Sequence, residues 1–366
     1  MKRLLRFFRR MLFVFNLLAA GVSVMVYIAP YFSPEKFWPM VFMPYLALPL
    51  IFIHGAFLIW WLLGKRWHAL LSLLVLLLGW PINQLSFQYS FRQQVDSSDL
   101  RVMSYNIGNF RENGYGKEAL ENTQQGIFEI INTFAPDILC FQEYHSLERG
   151  QGDFTDRLFE EANYGYGYFE KIIGGKSWGY AGIAIFSKYP LINKTYISFE
   201  SKHSVNACIY ADLVRKTDTL RIINVHLQTN RLQGEELAYM REFREKPDAE
   251  AGKGLLKIMA KIRDAARLRA HQADRVGELV QASPYPVILC GDFNDLPASY
   301  AYHRVRGPLQ DTFVKKGRGT GNTYAGFFPS FRIDQIFADR RFKVSSQQVI
   351  RKRYSDHYPV FATLRK

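Results

Sequence analysis

The chain has 366 residues, three cysteines and a net charge of +14, enough for one large domain plus an appendage. Cys140, Cys208 and Cys290 are scattered through apolar runs with no CxxC pair, which excludes a disulfide framework or a thiolate zinc site and predicts buried free thiols. The first 99 residues hold nine basic and three acidic residues, leaving 38 basic and 30 acidic for the remainder, a net of +8; that excess suits an anionic ligand such as nucleic acid, a phosphoester or a lipid head group, or else serves only solubility.

Three apolar segments come first, at about 11–31, 39–63 and 67–86. Each is near the roughly 20 residues that cross a bilayer. The first is too long for a signal peptide, lacks a small-residue cleavage site and is followed by two more apolar runs. Residues 1–99 are therefore expected to form an anchor of about three membrane helices and a short polar linker. Lys2, Arg3, Arg6, Arg9 and Arg10 should stay cytoplasmic, as should Lys65 and Arg66. Three crossings then place residues 100–366 on the non-cytoplasmic side. Trp38, Trp60, Trp61, Trp67 and Trp80 fit interfacial belts. No charged residue falls in the middle of a span, which favours an anchor over an ion pathway.

From Leu100 the pattern becomes that of a soluble domain. Leu100 to Ile107 alternates like a strand and carries Asn106 at its end. Residues 117–134 have helical spacing, stopped by Pro136. Strands follow over 137–142, ending at Gln142-Glu143, and over 181–186; 206–213 and 220–227 read as a hairpin, its second strand ending in Asn224-Val225-His226. A polar helical stretch occupies about 231–282, its Lys and Arg residues forming a solvated face. Val287 to Asn294 is a buried-strand run ending in Gly-Asp-Phe-Asn; on an extended backbone Asp292 and Asn294 point to the same side. The Gly-rich loop 317–322 lacks phosphate-loop spacing and is expected to be a flexible flap. A strand over 332–337 carries Asp334, which taken alone could simply pair with Arg332, and Ser355-Asp356-His357 leads into the last strand. Many strands, few helices and no βαβ rhythm predict two packed sheets with helices outside.

Asn106, Glu143, His226, Asp292, Asn294, Asp334, Asp356 and His357 thus all stand at strand ends. Oxygen donors with histidine and no cysteine suit Mg²⁺ or Mn²⁺ rather than zinc. Such an ion polarises a phosphoryl oxygen, and a carboxylate near a histidine can activate water. Hydrolysis of a phosphodiester or phosphomonoester is the chemistry these groups serve best.

These motifs, from Ser104-Tyr105-Asn106 through Gln142-Glu143, Asn224-Val225-His226 and Gly291-Asp292-Phe293-Asn294 to Arg332-Ile333-Asp334 and Ser355-Asp356-His357, resemble the endonuclease/exonuclease/phosphatase superfamily. That superfamily includes DNase I-like nucleases, abasic-site endonucleases, neutral sphingomyelinases and inositol-polyphosphate phosphatases. The resemblance implies an α+β, four-layer α/β/β/α sandwich over 100–366. It implies Glu143 as the main metal ligand with Asn106 and Asp356 nearby, and Asp292 aligning or deprotonating the attacking water. Asn294 would hold the phosphate, His357, oriented by Asp334, would stabilise the phosphoryl oxygen, and His226 would contact the phosphate or assist the leaving group. One departure stands out: no acid occurs in 178–188 to partner His226. The leading expectation is a membrane-anchored, nuclease-like phosphodiesterase acting on nucleic acid. The alternatives are a sphingomyelinase-like phospholipid phosphodiesterase, a phosphomonoesterase and, from another class, an inactive membrane-tethered binding module. No protein partner is implied.

Overall fold

A computed structural model describes residues 2–366 except 65, 91–95, 97, 113, 115, 148–152, 176–178, 200–203, 217, 231–234, 237, 240–248 and 327–330. The chain opens with helix α1 (Lys2–Ile28), which turns through 3-10 segments Ala29–Tyr31 and Trp38–Leu46 into α2 (Ala47–Leu62); α3 (Arg66–Leu78) and a short α4 (Trp80–Asn83) follow. Two stretches, Arg3–Tyr31 and Trp38–Leu62, are long and apolar enough to cross a membrane by length and composition. The third is shorter than its sequence suggested. Thirteen residues of α3 span roughly 20 Å at 1.5 Å per residue, short of the roughly 30 Å hydrocarbon thickness. The helix stops at Gly79, with Pro81 just beyond. A side chain at 79 would collide with the Tyr27 ring, at 2.0 Å, so α3 ends where it presses on α1. By Leu85 the chain is already in the core of the folded part that follows.

The three helices share a polar seam. His54 of α2 sits within hydrogen-bond distance of Ser23 of α1 (3.0 Å) and Ser72 of α3 (3.2 Å), and Ser72 donates to Asn16 of α1 at 2.9 Å. All four side chains are buried. Phe15, Leu18, Phe52, Ile59, Leu74 and Leu77 face outward. Arg9 lies in one pocket with Trp60, Trp61, Leu63 and Gly64. The basic start of α1 and the α2–α3 turn therefore share one end of the helices. The rest of the chain packs on the other end, through Tyr31 against His303, Tyr45 against Phe331, and the Leu85 carbonyl, which accepts a hydrogen bond from Arg332.

Two six-stranded sheets follow. The first contains β1 (Leu100–Asn106), β2 (Ile138–Ser146), β3 (Tyr166–Gly175), β4 (Gly179–Ser187), β11 (Lys343–Val349) and β12 (Val360–Arg365), in the order β11-β12-β1-β2-β4-β3. The second contains β5 (Leu191–Ser198), β6 (Ala207–Arg215), β7 (Asp218–His226), β8 (Val287–Asp292), β9 (Gln310–Asp311) and β10 (Asp334–Ala338), in the order β5-β6-β7-β8-β10-β9. Side-chain alternation builds the layers. Val102, Ile138, Cys140 and Ile185 of one sheet meet Ile209, Ile222, Ile288 and Ile336 of the other. Met103, Tyr105, Leu139 and Phe141 turn outward to Ile127 and Ile131 of α5 (Lys117–Phe134) and to Phe154 of α6 (Phe154–Glu160). Ile223, Val225, Leu289 and Phe337 meet Ala273 and Val276 of the long helix α7 (Ala249–Gln281), and Tyr302 of α8 (Tyr300–Arg306). This is the expected four-layer sandwich. All three cysteines are free and buried, as expected.

The topology explains why distant motifs meet. Each sheet has one parallel pair at its centre, β1 with β2 and β7 with β8. Asn106, Glu143, His226 and Asp292 lie at or near the C-terminal ends of those strands. β10 and β12 run antiparallel to their neighbours β8 and β1. Their starts, with Asp334 and the preceding His357, therefore fall at the same rim. Asn224 joins the sheets beneath it: its amide accepts from Gln142 and donates to the carbonyls of Phe141 and Ala184.

Candidate active site

Asn106 links the two sheets. Its Oδ1 accepts the Gly108 amide at 3.1 Å, so Nδ2 is the atom turned to the carboxylates. It donates to Asp292 Oδ2 at 3.0 Å and to Glu143 Oε1 at 3.4 Å. Glu143 occupies a bulge where the β2–β4 register shifts, with φ of 49°. A bulge re-aims a side chain, and here it leaves the Glu143 carboxylate about a third exposed. Asn109, in a tight turn at φ 53°, donates to Glu143 Oε2 at 3.1 Å. Sequence reasoning passed over Asn109; its place three residues beyond Asn106, next to Gly108, was the available signal.

Asp292 is buried. The preceding Gly291 is required by close approach, since a Cβ there would lie 2.0 Å from the Val225 carbonyl oxygen of β7. Asp292 and Asn294 do come together, but not by extended alternation. The strand ends at Asp292, and Asn294 is left-handed at φ 51°. Its backbone N–H donates to Asp292 Oδ1 at 2.8 Å, closing an Asx turn. The Asn294 Nδ2 donates to Asp292 Oδ2 (3.2 Å) and to the Leu227 carbonyl (3.0 Å).

His357 Nδ1 lies 2.9 Å from Asp334 Oδ2, and Nε2 lies 3.8 Å from Asp292 Oδ2. Asp334 is thus the partner of His357, not of Arg332, which instead binds Asp311, Gln335 and the Leu85 carbonyl. Thr323 Oγ1 accepts the Asp334 amide at 3.0 Å. Burial alone would push the His357 proton off; the carboxylates of Asp334 and Asp292 outweigh it, so the ring holds its proton well above the ordinary histidine range. Burial raises the Asp292 carboxyl above its ordinary range, against the opposing pull of His357, His226 and Asn106.

His226 is buried between Glu143 Oε1 (3.7 Å) and Asp292 Oδ2 (3.6 Å), and neither ring nitrogen finds a hydrogen-bond partner among the described residues. The carboxylates beside it are those of the site itself. Asp356 is half-buried, its Oδ1 accepting from Ser355. It stands beside Gly108, where a Cβ would be 3.5 Å from Asp356 Oδ1. The Gly-rich loop is not a free flap: Gly319 and Gln88 exchange backbone hydrogen bonds of 2.9 and 2.7 Å.

Two groupings could receive a cation. Asp292, Asp334 and His357 offer ligand atoms within 4.8 Å of one another. That set includes an imidazole whose Nδ1 is already engaged by Asp334, and imidazole is a softer ligand than a carboxylate oxygen. The second centres on Glu143, whose carboxylate oxygens are partly open; Asn106 turns its Nδ2, not its oxygen, to that carboxylate. This second set fits a hard divalent ion better.

Residues 103–357 match the Endonuclease/Exonuclease/phosphatase family. The chain belongs to that family. Residues 9–85 match a domain of unknown function, DUF8431. No curated protein matches the chain. Among solved structures, D. rerio TDP2 humanized by 14 mutations is 16% identical, covering 74% of this chain and 100% of that one, with a TM-score of 0.52. The human Nocturnin catalytic domain with a bound sulfate anion is 17% identical over 77% and 98%, TM-score 0.51. Truncated Caenorhabditis elegans TDP2 is 19% identical over 75% and 100%, TM-score 0.50. At these identities the likeness speaks for the fold of this family member.

Proposed function

We propose that the chain is a membrane-anchored, divalent-metal-dependent phosphoester hydrolase, with residues 1–99 as anchor and 100–366 as catalytic domain on the non-cytoplasmic side. The observation that carries the reading is the convergence, from two sheets, of Glu143, Asp292, His226 and the Asp334–His357 pair at one rim. An anchored scaffold without activity has no need of so many buried ionisable groups in one place.

Glu143 would hold Mg²⁺ or Mn²⁺, with Asp356 as the second candidate ligand; Asn106, expected from the sequence to ligate as well, instead turns its amide nitrogen to Glu143 and Asp292 and orients them. The bound ion would polarise the phosphoryl oxygen. Asp292, buried and with its carboxyl pKa raised by that burial, takes the proton of the attacking water at its carboxylate. Asn106 and Asn294 fix that carboxylate from two sides. His357 presents an Nε2–H to the phosphoryl oxygen while Asp334 holds its Nδ1–H. His226, whose ring nitrogens are uncommitted, contacts the phosphate or the leaving oxygen. The Asn294 amide already serves Asp292 and Leu227, so its contact with phosphate is the weaker of its two parts.

The topology rests on charge. Arg9, in the basic start of α1, sits beside Trp60 to Gly64 at the end of the helices away from the catalytic domain, as the positive-inside rule asks. The basic surface suits a phosphodiester polyanion, and one solved D. rerio TDP2 structure holds a single strand DNA product. The full-length protein in detergent should hydrolyse bis(p-nitrophenyl) phosphate with Mg²⁺ or Mn²⁺. Wild-type rates in Asp292→Ala and His357→Ala would overturn the assignment. A reporter fused after Lys366 should be active only outside the cytoplasm; a cytoplasmic signal would reverse the orientation.

A further inference from the structure

A cavity of about 290 Å³ lies where the anchor meets the catalytic domain. Its walls come from both. Tyr45 and Leu48 belong to the apolar stretch Trp38–Leu62, and Leu85 follows the last anchor helix; Leu296, Phe331 and Arg332 come from the catalytic domain. The volume is at the lower edge of that of small-molecule sites, which are mostly apolar with few polar groups. Arg332 supplies a polar group here, and its buried Nε has no acceptor among the described residues.

The cavity adjoins the catalytic residues through the chain itself. Leu296 is two residues beyond Asn294, and Arg332 two residues before Asp334. Two residues of backbone reach at most about 7 Å. The same loop continues into Ser299 to Ala301, which packs on Phe32, Met40 and Pro44 of the segment between the first two anchor helices. Tyr31, Phe32, Phe37 and Trp38 of that segment are exposed, in the manner of aromatic residues at a membrane–water interface. On the membrane reading the catalytic rim is then held at the level of the bilayer surface, and an apolar chamber walled by a candidate membrane helix lies beside it.

We propose that this cavity receives the hydrocarbon chain of a membrane lipid whose phosphoester lies at Asp292 and His357. The substrate class is then a lipid phosphoester rather than a nucleic acid, and the anchor forms part of the substrate site. This rests on the phosphoesterase and membrane readings above. The anchor helices supply the hydrophobic wall that a two-sheet domain alone lacks.

The test uses the full-length protein in detergent. Phosphatidylglycerols with acyl chains of increasing length are compared with chainless glycerophosphoglycerol, bis(p-nitrophenyl) phosphate and a single-stranded oligonucleotide. Each methylene that enters the cavity should raise kcat/KM by about fourfold until the cavity is full. Leu48→Trp and Ser86→Trp fill the cavity from two walls. Both should flatten the chain-length dependence and leave bis(p-nitrophenyl) phosphate turnover within twofold of wild type. Wild-type rates independent of chain length, a preference for the oligonucleotide, or two folded variants that keep the dependence would each overturn the proposal while the phosphoesterase reading stands. If wild type hydrolyses none of these compounds with Mg²⁺ or Mn²⁺, the phosphoesterase reading itself falls, and this proposal with it.

Discussion

Replacing Asp334 by Asn would keep the shape of the rim and remove one charge. The wild-type carboxylate sits 2.9 Å from His357 Nδ1. At an effective dielectric of about 20, opposite charges that close attract by about 6 kcal/mol. Burial of the imidazolium opposes this, and Asp292 remains nearby. Half the attraction, about 3 kcal/mol, still changes the imidazolium population at a fixed alkaline pH by roughly a hundredfold. The carboxamide of the variant can also favour the wrong tautomer. The kcat of Asp334→Asn should therefore fall about 10² to 10⁴-fold, with the alkaline limb of the pH–rate profile moved to lower pH. The effect on stability has a definite sign. Because the folded protein raises the pKa of His357, its stabilisation is fully present below the ordinary histidine pKa of about 6.5 and is lost as pH rises through the raised value. The gap in melting temperature between wild type and variant should be wide near pH 6 and close toward high pH. An unmoved alkaline limb together with a kcat within threefold of wild type would show that the pair plays no part in catalysis.

Asp292→Asn should lower kcat by at least about 10³-fold without lowering the melting temperature, because ionising a carboxyl whose folded pKa is raised costs stability. Asn109→Ala should raise the Mg²⁺ concentration for half-maximal activity by roughly 10 to 100-fold, since Glu143 loses the amide that orients it; EDTA should abolish wild-type turnover. Gly291→Ala should cost about 3 kcal/mol or more in denaturant unfolding, because the new methyl meets the Val225 carbonyl. His54→Leu should lower stability in detergent by about 1 kcal/mol, the value of the hydrogen bonds lost among the three N-terminal helices, with kcat unchanged.

Much of this site was legible because its residues close apolar strands that alternate with period two, and strand ends are where a sandwich exposes polar groups. Asp334 was ambiguous from the sequence because Arg332 lies two residues away; only the antiparallel start of β10 brings it to His357 instead. Glu143 and Asn294 were found at their positions, but their left-handed backbones were not foreseen, since neither is a glycine. No acid occurs in 178–188 to partner His226; Glu143 and Asp292 lie 3.7 and 3.6 Å from its ring without hydrogen-bonding it. The third apolar segment illustrates a limit of hydropathy: it counts residues, and Gly79 and Pro81 end the helix before the count is complete. His54 was passed over because its partners, Ser23 and Ser72, lie on other helices.

The grip of Arg332 on the Leu85 carbonyl bears on how this enzyme can be dissected. Leu85 is 3% exposed and belongs to the cluster under the second sheet. A truncation that begins after the linker would strip that side chain from its socket, a loss comparable to a core Leu→Ala change of about 2 to 5 kcal/mol. It would also leave a guanidinium short of an acceptor beside the strand that bears Asp334. Deleting residues 1–99 to isolate the sandwich would thus wound the scaffold at the edge that bears Asp334, and poor turnover by such a fragment would report on the cut rather than on the site.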